Sequence, residues 1–170
     1  MTVTRYELVP ERSQVWIEGS SSVHPVHATT TGLAGWIEVD LTATGLAAKS
    51  DASGHVEIPV QQLRSGNPLV DRETRRRVDA KKYPLISGDV TGVDGVDRGV
   101  LHLRGVIHFR GESCDVEGDL TVGRDGDGLI LEGEQTFDVR DWGLQPPKLL
   151  MLTVHPDVTV RIRCEARPSR

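Results

Sequence analysis

The stretch Val100–Val122, VLHLRGVIHFRGESCDVEGDLTV, constrains this fold more than any other part of the chain. Leu101, Leu103, Ile107 and Phe109 alternate with His102, Arg104, His108 and Arg110. After Gly111-Glu112, Cys114, Val116, Leu120 and Val122 alternate with Asp115, Glu117, Asp119 and Thr121. Period-two patterning on both sides of a short break predicts a β-hairpin with one apolar face. Glycine leads the break, as a type II′ turn requires. Setting Arg110 opposite Ser113 puts Phe109 against Cys114, Ile107 against Val116 and Leu103 against Leu120. On the other face it pairs Arg104 with Asp119 and His108 with Asp115, opposite charges across strands.

In that register Gly105 lies opposite Gly118. The next run, Leu129–Asp138, has Leu129, Leu131, Gly133 and Phe137 in phase, and pairing Val122 with Leu129 brings Gly118 opposite Gly133. Three neighbouring strands then carry a row of glycines. Bending of the sheet into a closed barrel is the first reading of such a row. Extra room for something held inside is the second.

The remaining chain reads as more strands with one interruption. Alternation marks Tyr6–Pro10, Gln14–Glu18, Leu33–Leu41, Val56–Val60, Leu85–Val90 and Val158–Cys164. Gly45–Gly54 reads as loop. Asn67-Pro68 is an N-cap followed by proline at the first helical position. It opens a helix of about three turns, ended by Tyr83-Pro84, with Val70, Thr74 and Val78 on one face. Arg75, Arg76 and Arg77 suit the C-terminal end of its dipole, with an anion or head-group contact as the alternative. Leu149-Leu150-Met151-Leu152 reads as a strand or a lid. The expected fold is all-β with one inserted helix: an antiparallel barrel of about eight strands, in one domain covering residues 1–170.

Composition narrows the function. A net charge of −5 argues against nucleic acid and anionic membrane surfaces. Aromatic residues make up 4%, so an interior would be lined by aliphatics. No stretch is long enough to span a bilayer, and MTVTRYELVPERS lacks the pattern of a secretory leader, which points to the cytoplasm. Cys114 and Cys164 lie in apolar phase and read as buried thiols, with a bridge between them left open. Arg124–Gly128 resembles a calcium loop but lacks the later Glu and the flanking helices, so it reads as a turn. His24 and His27, three apart, fall on opposite faces of a strand. No catalytic fingerprint of the nucleophile-elbow, P-loop or dinucleotide kind is present.

Five motifs in order give the chain a resemblance to a known family. Tyr6-x-Leu8-x-Pro10-x-x-Ser13 comes first. Ser22-x-His24 follows, with Gly32 and Gly35. Then come Ser65-Gly66 with Asp71, Asp79 and Tyr83-Pro84; Leu103-x-Gly105-Val106; and Arg140-Asp141-Trp142-Gly143-Leu144. Together they resemble the YceI-like family of lipocalin-like, polyisoprenoid-binding barrels. Arg77-Val78 stands where that family often has paired aromatics, and Val70 where it has Arg.

The resemblance implies an elongated apolar tunnel holding an isoprenoid, quinone or fatty-acid-like amphiphile, without catalysis, metal or other cofactor. The expected apolar contacts are Trp36, Leu103, Ile107, Phe109, Trp142 and Met151. The expected polar ones are His24, Asp71 and Arg140. The alternative is a small enzyme on the same barrel, using His24 with Asp71 or Arg140 as acid–base groups; it requires those groups to meet in one cavity. The oligomeric state, a homodimer included, is left open.

Overall fold

The computed structural model describes residues 3–42, 45–46, 51–145, 148–149 and 152–170. Its strands are β1 (Val3–Leu8), β2 (Gln14–Ser21), β3 (Pro25–Thr31), β4 (Ala34–Thr42), β5 (Gly45–Leu46) and β6 (Ala52–Pro59). They continue with β7 (Leu85–Asp97), β8 (Val100–Phe109), β9 (Glu112–Asp125), β10 (Gly128–Asp138), β11 (Lys148–Leu149) and β12 (Leu152–Pro168), and one helix, α1 (Pro68–Arg77), separates β6 from β7. Strands β1, β4, β6, β7, β8, β9, β10 and β12 run antiparallel in that spatial order, and pairing of β1 with β12 closes them into an eight-stranded barrel. The expected fold class is therefore the observed one. Gly45–Gly54 is not all loop, since it contains β5 and the start of β6.

β12 is long enough to serve two neighbours in turn. Residues Ala166–Pro168 pair with β1, and Val154–Arg163 pair with β2. Between β1 and β2 a single 3-10 turn, Pro10–Arg12, bends the chain, and Ser13 Oγ donates to the Val9 carbonyl at 2.8 Å to hold the bend. β2 and β3 form a hairpin that continues beyond the closed barrel.

The β8–β9 hairpin has the expected faces but not the expected register. It turns on Arg110-Gly111, both left-handed at φ 55° and 77°, the signature of a type I′ turn rather than type II′. Moving a two-residue turn one position toward the N-terminus slides the pairing by two, which leaves every side chain on its original face. Phe109 thus pairs with Glu112, Ile107 with Cys114, Leu103 with Gly118 and Leu101 with Leu120. The predicted Arg104–Asp119 and His108–Asp115 pairs do not form. Arg104 Nε reaches Asp94 at 2.7 Å, His102 Nδ1 reaches Asp119 at 2.6 Å, and His108 Nδ1 lies 2.6 Å from Ser113 Oγ.

β10 is displaced in the same sense, with Leu131 opposite Val122 and Gly133 opposite Leu120. The glycines consequently form a diagonal instead of a row. A stagger of this kind accompanies the strand tilt of a closed barrel.

The helix starts as expected. Asn67 Oδ1 accepts from Leu69 N–H at 3.0 Å and Val70 N–H at 3.4 Å. It ends earlier than Tyr83-Pro84. Val78 caps it, Asp79 is left-handed at φ 54°, and Ala80 N–H returns to the Arg75 carbonyl at 2.9 Å, a Schellman closure. Glu73 bridges to Arg76 and Arg77 at 2.6 and 3.0 Å. Those hydrogen bonds pull its carboxyl down to about 2.

Two apolar clusters close the barrel ends. One end is filled by Val39, Leu101, Leu129 and Ala166, each 0–1% exposed. The other is capped by Val60, Leu63, Val78 and Ala80 from the helical insertion, with Phe109 and Leu144 packed against them.

Candidate binding site

Between the two packed ends lies a cavity of about 280 Å³ with an almost wholly apolar lining. Its origin is visible residue by residue. Five successive strands each present a glycine to it: Gly54 on β6, Gly88 on β7, Gly105 on β8, Gly118 on β9 and Gly133 on β10. Larger inward residues, such as Ile37, Leu103, Ile107, Leu120, Phe137 and Val160, complete the lining.

The five glycines do not have one common reason. A Cβ at Gly105 would lie 2.6 Å from the Asp89 carbonyl oxygen, and one at Gly133 would lie 3.0 Å from that of Asp119. There the neighbouring backbone comes too close for a side chain, which is what bending demands. At Gly118 the nearest atom is the flexible Gln135 Oε1 at 3.8 Å. That glycine leaves empty space. Both readings of the glycine row therefore apply, at different strands.

The outer surface behind this wall is cross-braced. Asp89 accepts from His55 Nδ1 at 2.7 Å and from His108 Nε2 at 3.1 Å, and His55 Nε2 reaches Glu57 at 3.1 Å. Partial burial alone would lower the His55 pKa. The hydrogen bonds and charges of Asp89 and Glu57 outweigh it and raise it. Burial likewise works to raise the Asp89 pKa, and the two imidazoles overcome it and lower it. Arg5 stacks over Trp36 at 4.2 Å, and Arg161 over Trp16 at 4.4 Å.

The expected site residues divide. Leu103 and Ile107 line the cavity; Trp36 borders it, with its ring held beneath Arg5. Trp142 is buried, donates Nε1–H to the Ile107 carbonyl at 2.9 Å, and meets Phe137 edge-on at 5.8 Å. Phe109 belongs to the capping cluster at the helical end. Met151 lies outside the described residues.

The three polar candidates do not border the cavity, and each is satisfied locally. His24 is exposed, with Nδ1 2.8 Å from the Pro25 carbonyl. Asp71 is buried and accepts from Ser65 N–H and Oγ–H at 2.8 and 2.6 Å, tying the loop to the helix. Arg140 pairs with Asp138 at 2.6 Å. The acid–base arrangement of the enzyme alternative is thus not assembled. The thiols are unbridged; Cys164 is buried, but Cys114 is only half-buried, contrary to expectation, and donates to the Asp141 carbonyl at 3.0 Å. Gly54 and Gly88 are site residues that sequence reasoning passed over, although both sit in the inward phase of alternating strands. Among the described residues no group of three or more His, Cys, Asp or Glu side chains is placed to hold one metal ion.

The fold and cavity define a class: closed antiparallel barrels with an apolar hollow. The YceI-like domain profile matches residues 6–166, and the chain belongs to that family. Among solved structures it is similar to a polyisoprenoid binding domain from Saccharophagus degradans implicated in plant cell wall breakdown (TM-score 0.77, 15% identity, 96% of this chain and 98% of that one). It is also similar to BcnA of Burkholderia cenocepacia (TM-score 0.73, 15% identity, 90% and 95%). A third is the YCEI protein of Campylobacter jejuni (TM-score 0.66, 15% identity, 85% of each chain). At that identity the likeness concerns the fold. No curated protein matches the chain. No helix among the described residues is long and apolar enough to cross a membrane.

Proposed function

We propose that this protein binds and carries a single-chain hydrophobic amphiphile, isoprenoid, quinone or fatty-acid-like, in the hollow of its barrel. The observation that carries this reading is the glycine-walled apolar cavity. A volume of about 280 Å³ falls just below the range of roughly 300–1,000 Å³ for ligand pockets, which suits one chain rather than two. Transfer of an alkyl chain from water into such a space is favourable by about 25 cal/mol per Å² of apolar area, so no catalytic group is needed. Membership of the family supports a binding role, and the Saccharophagus degradans neighbour is itself described as polyisoprenoid binding.

The test is native mass spectrometry of freshly purified protein, followed by solvent extraction. The expected result is a co-purifying apolar molecule at up to one per chain, and a rise in melting temperature when isoprenoid alcohols or quinones are added to stripped protein. Stripped protein whose melting temperature ignores every such compound would end this reading.

A further inference from the structure

Both barrel ends carry packed apolar side chains, and the wall between them has an opening. The β9–β10 ladder runs from Gly128–Asp125 to Gly133–Leu120 and stops there. Below that point β9 stays paired with β8 as far as Glu112, while β10 stays paired with β12 as far as Asp138. The two strands thus part along a seam. Gly118 and Asp119 on one edge, and Glu134 and Gln135 on the other, border the cavity.

The seam is bounded below as well. The Val139–Trp142 turn stitches its lower end, through Cys114 Sγ to the Asp141 carbonyl at 3.0 Å and Trp142 Nε1 to the Ile107 carbonyl at 2.9 Å. From Cys114 to Leu120 the opening is about 20 Å long at strand rise. Gln135 is in the inward phase of β10, with Leu131 and Phe137, yet it is exposed. An inward side chain that meets solvent marks a break in the wall.

We propose that the apolar tail of the ligand enters and leaves sideways, between β9 and β10, and that its hydrogen-bonding head group remains at the seam beside Gln135. This rests on the carrier reading above. The ends offer no comparable path: Leu101, Val39 and Leu129 fill one, and the cluster around Val60, Leu63 and Val78 caps the other. At the seam no packed side chain has to leave. Gly118 contributes no side chain, and a Cβ there would meet nothing closer than the flexible Gln135 amide.

The experiment closes the seam covalently. In a Cys114→Ser background, Gly118→Cys and Gln135→Cys are joined by oxidation or by a short bifunctional thiol reagent. Exchange of the fluorescent apolar probe N-phenyl-1-naphthylamine is then followed by stopped flow. The bridged protein should load and release probe at least tenfold more slowly than the same variant with free thiols. Equal rates would overturn the lateral route while leaving the carrier reading intact. Failure of the unmodified protein to take up probe at all would remove both.

A second measurement needs no variant. In hydrogen exchange on the unmodified protein, probe should protect amides of residues 115–119 and 134–137 more than those of the end turns at 98–99 and 126–127. Protection confined to the end turns or to residues 60–66 would also overturn the proposal.

Discussion

The packed end of the barrel and its hollow middle are made from the same strands, a few residues apart, with the same alternation. On β8, Leu101 is fully buried, while Gly105 lines the cavity and adds no side chain to fill it. On β10, Leu129 is 1% exposed, and Gly133 lines the cavity. The β8–β9 and β10–β12 ladders run unbroken through both regions, whereas the β9–β10 ladder stops short beside the hollow. What separates them is side-chain volume at one inward position per strand, repeated over five strands. A core and a binding site can therefore share one secondary-structure pattern and differ only in whether the inward residues fill the space between them.

The largest effect should come from hollowing the packed end. Leu101→Ala should cost about 3 kcal/mol, which lowers the melting temperature by about 6–12 °C for a chain of this length. A much smaller loss would mean that this end is as loose as the middle.

Next comes a glycine that bending requires. In Gly105→Ala the new methyl would sit 2.6 Å from the Asp89 carbonyl. Backbone has to shift, at about 1–3 kcal/mol, read by urea denaturation. The contrasting substitution is Gly118→Val, whose Cβ has room. Its stability should stay within about 0.5 kcal/mol of the parent, while affinity for an isoprenoid alcohol falls at least tenfold. If Gly105→Ala and Gly118→Val behaved alike, the division between bending and space-making glycines would be wrong.

The smallest effect concerns the brace behind the wall. His55 has its pKa raised above 6.5 by its carboxylate partners, so its contribution is complete below that pH and fades as pH rises through the folded value. Asp89 has its pKa lowered below 3.8, so its contribution is complete above that pH and is lost on acidification through its folded value. The brace is strongest between about pH 3.8 and 6.5. The stability gap between the parent and His55→Gln should be larger at pH 5.5 than at pH 8.5, as measured by thermal denaturation at both pH values.

Much of this was legible from residue order. The alternation at Val100–Val122 predicted which side chains face inward, and Asn67-Pro68 marked the helix start. The register was not legible, for a definite reason. A one-residue slip would expose Leu101 and Leu103, but a two-residue slip preserves every face, so a period-two pattern does not distinguish even shifts. The choice fell to the turn, where Arg110 adopts a left-handed conformation that nothing in its chemistry advertises. The seam was invisible for a related reason: β9 continues to alternate past the point where its ladder with β10 ends.

Site residues followed the same divide. Leu103 and Ile107 line the cavity because inward apolar residues on a barrel wall can only face the interior. His24, Asp71 and Arg140 were drawn into one hypothetical mouth because they are polar and sit in connections. Each instead satisfies a nearby loop or turn, at Pro25, Ser65 and Asp138. Polar side chains next to turns have backbone and short-range partners at hand, and those compete with any long-range assembly.

The two unbridged sulfurs give this barrel a built-in stopwatch. Cys164, 3% exposed, has its pKa pushed up to about 11, chiefly by burial, although a Ser13 hydrogen bond and the Arg163 charge act the other way. Thiolate is the reactive form, so Cys164, which faces the cavity, should alkylate slowly, whereas Cys114 stands at the surface edge of the Asp141 turn. The interval between the first and second alkylation, compared with and without a bound apolar probe, would report whether the hollow is occupied.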